Sequence, residues 1–142
     1  MAALSRFISK LGEKALTFYQ LMKKTNKFTW TPEARAIFAD LKRTLSTPPV
    51  LVAPREKERL YLYIAATNRV VSTVLVVERA EEGKVHGVQR PVYYLSEVLS
   101  LSKQRYPTYQ KLAYGVFMSS RKVAHYFSEH PITVVSGHSR TY

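Results

Sequence analysis

The stretch LYLYIAATNRVVSTVLVV, residues 60–77, decides the fold. Leu60 to Ala65 and Val70 to Val77 are dense in aliphatic, tyrosine and β-branched side chains, which suit a pleated, half-buried surface. Thr67-Asn68 between them reads as a turn. Downstream, Ala80-Glu81-Glu82-Gly83-Lys84 is a second polar turn, and Pro91 to Leu95 makes a third strand whose proline suits a first residue or an edge. These elements form a three-stranded antiparallel meander. Next comes a helical pattern over roughly Lys103 to Phe127, with Tyr109, Leu112, Ala113, Val116, Phe117, Ser120, Ala124 and Phe127 on the side predicted to face the sheet. Pro131 closes it. Ile132 to Val135 is then a fourth strand, parallel to the first because a helical crossover precedes it. The fold class is α+β or α/β, preceded by N-terminal helices.

Upstream, Thr31-Pro32-Glu33 is a helix start. Thr31 can cap free amides, Pro32 lacks an amide proton where none is needed, and Glu33 suits the positive end of the dipole. Ala34, Ile37, Phe38, Leu41 and Leu45 mark one apolar face, and Pro48-Pro49 stops the helix. Phe28 and Trp30, just before the cap, read as packing anchors. At the N-terminus, Leu4, Phe7, Ile8 and Leu11 have helical spacing, Gly12 reads as a break, and Leu16, Tyr19 and Met22 or Lys23 resume the period. Two short helices are expected. The same acid-poor segment has the amphipathic character of a mitochondrial presequence, although no small-residue cleavage pattern accompanies it. Without such import, the expected compartment is cytoplasmic or nuclear.

A chain of 142 residues with 46% hydrophobic and 23% charged residues is expected to build one core. It holds no cysteine, which excludes disulfides, thiol nucleophiles and cysteine-containing zinc sites. No apolar run approaches the ~20 residues of a membrane span, so no membrane partner is expected. Nor is a small-molecule substrate or a cofactor, since neither a phosphate-binding glycine loop nor a serine-nucleophile motif is present. The formal charge is +12. Residues 1–30 contribute +5 of this, through Arg6, Lys10, Lys14, Lys23, Lys24 and Lys27 against Glu13. Residues 99–142 contribute another +5, with Lys103, Arg105, Lys111, Arg121, Lys122 and Arg140 against Glu129. Both ends should attract polyanions.

Four groups of residues carry a family resemblance: the Phe28-Thr29-Trp30 lead-in; Glu33 to Leu45 with Leu41-Lys42; Pro48 to Leu51 with Pro54; and Arg90-Pro91-Val92-Tyr93-Tyr94 followed by Ser96 and Leu99. Tyr106 and the Lys111 helix continue it. The chain resembles the reverse transcriptase to ribonuclease H junction of Ty3/gypsy-type retrotransposon polyproteins, particularly those of plants, and Leu4 to Lys24 resembles the end of the polymerase thumb. The resemblance implies a ribonuclease H-like fold, with residues 1–28 a thumb-derived segment, 29–58 a linker helix and proline-rich connection, and 59–142 a partial, truncated domain. A complete domain of this kind continues with a helix, a fifth strand and a last helix. Uncovered sheet is therefore an expected surface for a protein partner or a homodimer.

The resemblance also locates the family's acids. Its Thr-Asp-Ala-Ser stretch falls on Ile64-Ala65-Ala66-Thr67, so the aspartate position is Ala65. The glutamate that follows a lysine falls on Leu112, after Lys111. Thr-Asp-His or Ser-Asp-His at the end of the fourth strand becomes Ser136-Gly137-His138. Phosphodiester hydrolysis of this type uses two divalent ions, which need carboxylate oxygens. Composition points the same way, because Asp40 is the chain's sole aspartate and lies in the Pro32 to Leu45 helix. Glu56 and Glu58 fall in a charged loop and Glu81 and Glu82 in a turn, while Glu78, Glu97 and Glu129 read as isolated surface. His86, His125 and His130 lack partners at metal-ligand spacing, and His138, which keeps the family's histidine, reads as structural or exposed without the neighbouring acid. The expectation is therefore a chain without nuclease or polymerase activity that binds RNA/DNA duplex non-specifically through Arg6, Lys10, Lys14, Lys23, Lys24, Lys27, Lys103, Arg105, Arg121 and Lys122. The alternative is a domesticated, stand-alone protein-interaction module.

Overall fold

A computed structural model describes residues 2–24, 29–47 and 50–137. Lys27, Phe28, Pro48, Pro49, His138 and Arg140 lie outside the described residues, as do the side chains of Leu4, Met22 and Lys24. A 3-10 turn over Ala2–Phe7 leads into α1 (Leu11–Lys24) and α2 (Pro32–Ser46), followed by β1 (Leu60–Ala66), β2 (Val70–Arg79) and β3 (Val88–Val98). Three helical pieces follow, α3 (Leu101–Gln104), α4 (Thr108–Lys122) and α5 (Ala124–Glu129), before β4 (Ile132–Ser136). The sheet order is β3-β2-β1-β4. β1 and β4 run parallel, with Leu62 opposite Val134. The other pairings are antiparallel, as the meander requires.

The hairpin between β1 and β2 turns at Thr67-Asn68 because Thr67 serves both ends of it. Its amide donates to Val70 O at 2.8 Å, and its hydroxyl accepts from the Val70 amide at 3.1 Å. Pro91 sits on the edge strand, where the missing amide proton costs no ladder bond. The β2–β3 register shifts there, Leu75 facing Tyr93 and Val76 facing Pro91, so Val92 is the extra residue of a bulge.

Both faces of β2 are covered, which is why its burial does not alternate. A Cβ on Gly12 of α1 would touch Val70 and Ser96, whereas one on Gly115 of α4 would touch Ile64, Val71 and Thr73. Val70 and Val71 point to opposite faces, so α1 and α4 sandwich the sheet. The sheet face expected to be uncovered is thus occupied in part by the chain's own N-terminal helices. The main core lies under α4, built from Leu60, Leu62, Ile64, Val71, Leu75, Val77 and Val92. A smaller cluster of Ile8, Leu11 and Leu41 joins the N-terminal helices.

Three expectations are corrected. Gly12 is not the break between the first helices; the chain turns at Lys10 (φ 53°), and Gly12 sits inside α1 against the Ser96 hydroxyl, to which its amide donates at 2.9 Å. The single helix over Lys103 to Phe127 is three pieces, interrupted before Pro107 and at Val123 (φ −125°, ψ 47°), whose side chain is buried. Of the face expected to meet the sheet, Leu112, Val116 and Phe127 do pack against the core, while Tyr109, Ala113, Phe117 and Ala124 are exposed; the buried centre of α4 is Lys111, Gly115, Met118 and Ser119. Counting apolar residues missed the centre of that face because Gly115 and Ser119 are the positions small enough for the helix backbone to approach the sheet closely. Ser119 is satisfied there by Thr73 Oγ1 at 2.9 Å.

Thr31 caps α2 as expected, accepting from the Ala34 amide at 3.1 Å. Trp30 packs between Phe18 and Phe38, with ring centroids 6.4 and 5.5 Å away. Asp40 joins Lys14 of α1 (3.3 Å) and Arg43 (2.6 Å), which makes it a helix-pairing residue.

Glu58 secures the loop before β1. Arg79 donates to both of its carboxylate oxygens at 2.9 Å and to Ala53 O. That hydrogen bond holds the Glu58 carboxyl at about 2, against an ordinary value of 4.5 and against the opposing effect of burial. Because the folded-state carboxyl titrates below the unfolded one, the pair's contribution is complete above pH ~4.5 and fades as pH falls toward 2. Discounted for solvent screening, it is about 1–2 kcal/mol. Glu58→Gln should lower urea stability by that amount at pH 7 and flatten the acid limb between pH 5 and 2; an unchanged acid limb would show that the pair does not control it.

Candidate nucleic-acid interface and strand-tip cleft

The parallel pairing of β1 with β4 sets Ile64 beside Ser136, so the two strands end side by side. The first turns of α4 cross above them, and a cleft of about 240 Å³ opens between, lined by Ile64, Ala65, Ala66, Thr108, Leu112 and Gly137. The positions named from three distant parts of the sequence, Ala65, Leu112 and Gly137, thus meet in one place. The lining has methyl, isobutyl and backbone groups and a single hydroxyl, that of Thr108. Hard divalent ions need several carboxylate oxygens, so these side chains do not fit a paired-cation site. Among the described residues, no group of three or more His, Asp or Glu could hold a metal ion.

Lys111, beside Leu112, is 7% exposed and donates from Nζ to Asn68 O at 3.2 Å. It pins the β1–β2 turn to α4 and so helps hold the cleft's shape. Thr108 and Lys111 carry no sequence motif for this role; only the crossing of α4 over the strand tips reveals it.

The cations fall on two sides. Arg6, Lys10 and Lys23 are exposed on the N-terminal helical layer, with Lys14 half-buried against Asp40. Arg6 lies over the Phe7 and Tyr93 rings at 5.0 and 5.6 Å. On the opposite layer, Arg105, Arg121 and Lys122 are exposed and Lys103 is half-buried. Among the described residues, α1 and α4, the helices that carry or adjoin these two groups, pack on opposite faces of the sheet.

Glu97 of β3, expected to be isolated, is the centre of a network. Its carboxylate accepts from the Tyr114 hydroxyl at 2.5 Å and pairs with Lys103 (3.6 Å) and Lys122 (3.5 Å), while Lys103 Nζ donates to the Tyr114 oxygen at 2.8 Å. Burial pushes the Glu97 carboxyl up, but the Tyr114 hydrogen bond and the two lysine charges outweigh it and hold it below its ordinary value. The hydrogen bond to Tyr114 raises Lys103. The signal was weak in sequence because the partners are 6 to 25 positions away and meet only through the β3 to α4 packing. Among the described residues, no helix is long and apolar enough to cross a membrane.

Residues 30–134 match the family model described as an RNase H-like domain found in reverse transcriptase. Among curated proteins, the Gag-Pol polyprotein of Baboon endogenous virus is 26% identical over 133 residues, covering 94% of this chain and 7% of that protein. The transposon Tf2-3 polyprotein of Schizosaccharomyces pombe is 25% identical over 137 residues, covering 95% and 10%. The chain therefore spans a tenth or less of the length of these relatives. Among solved structures, the foamy viral protease-reverse transcriptase dRH in complex with ds DNA superposes with a TM-score of 0.75 at 18% identity, over 99% of this chain and 24% of that one. The same kind of protein in complex with an RNA/DNA hybrid gives 0.72 at 17%, over 97% and 18%. The shared mixed sheet and the match over well more than half of the residues place this chain in the family of RNase H-like domains found in reverse transcriptase.

Proposed function

We propose that the chain is a catalytically inactive, connection-type ribonuclease H-like domain that contacts nucleic-acid duplex through its phosphates. The observation that carries the reading is the strand-tip cleft, where Ala65, Leu112 and Gly137 converge without a carboxylate. A scaffold of this kind retains positioning and loses the means of holding paired cations. The +12 formal charge favours any polyanion, and structural neighbours are described in complex with dsDNA and with RNA/DNA hybrid. The finer relationship we propose is to Ty3/gypsy-type elements of plants, on the Arg90-Pro91-Val92-Tyr93-Tyr94 stretch and its surroundings.

Binding through phosphates is sequence-tolerant and salt-sensitive. Log affinity for an RNA/DNA hybrid should fall linearly with log salt, by roughly 0.9 for each phosphate neutralised. With three or four contacts the slope is about −3, measurable by fluorescence anisotropy between 25 and 200 mM NaCl. No retention of hybrid at the lowest salt would remove the nucleic-acid part of the proposal, and cleavage of hybrid by the purified chain in magnesium or manganese would remove the inactive part.

A second reading, a domesticated protein-interaction module, is favoured by an apolar groove of about 420 Å³ between α1 and β3, lined by Leu16, Tyr19, Gln20, Lys23 and Val98. Co-purification that recovers nucleic acid and no protein would count against it.

A further inference from the structure

We infer that Glu97 is an internal counter-ion that withdraws Lys103 from nucleic acid, so the α3–α4 side presents Arg105, Arg121 and Lys122 but not Lys103. The inference rests on the nucleic-acid reading above and deepens it by assigning which charges act.

The two lysines beside Glu97 are held differently. Among the described residues, Lys122 has one ion pair, with the Glu97 carboxylate at 3.5 Å, and its side chain is 45% exposed. A lone, exposed ion pair of that sort is weak and exchanges readily for another anion. Lys103 has three contacts on one ammonium group: Glu97 at 3.6 Å, the Tyr114 hydroxyl at 2.8 Å, and the face of the Tyr114 ring, whose centroid is 4.1 Å away. Its side chain is 30% exposed. Tyr114 is itself fixed, since its hydroxyl donates to Glu97 and its ring packs on the core. To reach a phosphate, Lys103 must leave all three contacts and strand Glu97 beside the incoming anion.

Phosphate and Glu97 therefore compete for the same ammonium group, and the competition should appear in the salt dependence, which counts phosphate contacts. Arg105 and Arg121 have no ion pair with an acid among the described residues and are exposed, so they meet phosphate without prior loss.

The test compares the whole chain with Glu97→Gln, which keeps an oxygen for the Tyr114 hydroxyl while removing the charge. A 20-base-pair RNA/DNA hybrid is titrated by anisotropy at several NaCl concentrations. Glu97→Gln should steepen the log–log slope by about 0.9, one further phosphate contact, and tighten binding at the lowest salt several-fold. Lys103→Ala should leave the slope of the unchanged chain intact but cancel the gain when added to Glu97→Gln. Arg121→Ala should lower the slope by about 0.9 in either background. Circular dichroism and melting of each variant show that the fold persists. If the unchanged chain binds but Glu97→Gln leaves its slope the same, or if Lys103→Ala alone lowers it, the counter-ion role is overturned while the nucleic-acid reading survives. If the unchanged chain does not bind hybrid at all, both fall together.

Discussion

Placing carboxylates at the three cleft positions together, Ala65→Asp, Leu112→Glu and Gly137→Asp, should let divalent cations stabilise the fold, a response not expected of the unchanged chain. Binding to the folded state alone stabilises by about 2.7 kcal/mol when the cation is at a hundred times its Kd. For a domain of this size that is a melting shift on the order of 10 °C between chelator and 10 mM manganese. The unchanged chain should shift by less than about 1 °C, an allowance well below that effect. The backbone leaves room for the change, since a Cβ at Gly137 would meet nothing within 4 Å and Ala65 is exposed. In chelator the triple variant should be the less stable of the two, because three carboxylates that converge on one cleft repel each other. Leu112→Glu alone should give no cation response. A triple variant that ignores manganese would mean that the three positions do not converge as described. An unchanged chain stabilised by manganese at this cleft would undo the proposed inactivity.

The second large effect is expected at Gly115. A Cβ there would lie 2.8 Å from Ile64 Cγ2 and 2.9 Å from Val71 Cγ1, and both contacts come from β-branched side chains with little freedom to move aside. Gly115→Val adds two further methyl groups to that contact. The overpacking should cost about 2–3 kcal/mol, seen as a lower urea midpoint with an unchanged slope. The helix must rise from the sheet to relieve it, which carries Leu112 away from Ala65 and widens the cleft. Gly137→Ala is the control: with open space around it, the expected change is within about 0.5 kcal/mol. Equal stability of Gly115→Val and the unchanged chain would mean that α4 is not seated on Ile64 and Val71.

Much of the fold was legible because its signals are local. Thr31-Pro32-Glu33 caps a helix whatever follows it, and the dense aliphatic and β-branched runs on either side of Thr67-Asn68 mark a hairpin locally. The edge position of Pro91 follows from its missing amide proton. The orientation of α4 was legible only in part: Leu112 and Val116 do pack on the core, but Gly115 and Ser119 look like poor core residues until a sheet lies beneath them. Gly12 was misread for the same reason: it could be a break or a close approach, and only the Ser96 hydroxyl against it distinguishes the two.

The cleft divides the same way. By itself the sequence determined that Ala65, Leu112 and Gly137 carry no anionic oxygen and that the chain is strongly cationic, since both are properties of residue type. Only the tertiary structure decided that those three positions line one cleft, that α1 covers part of the second sheet face, and that Glu97 pairs with Lys103. Each of these joins residues far apart in the chain, and such contacts depend on how close two backbones can come, which the order of residues does not state locally.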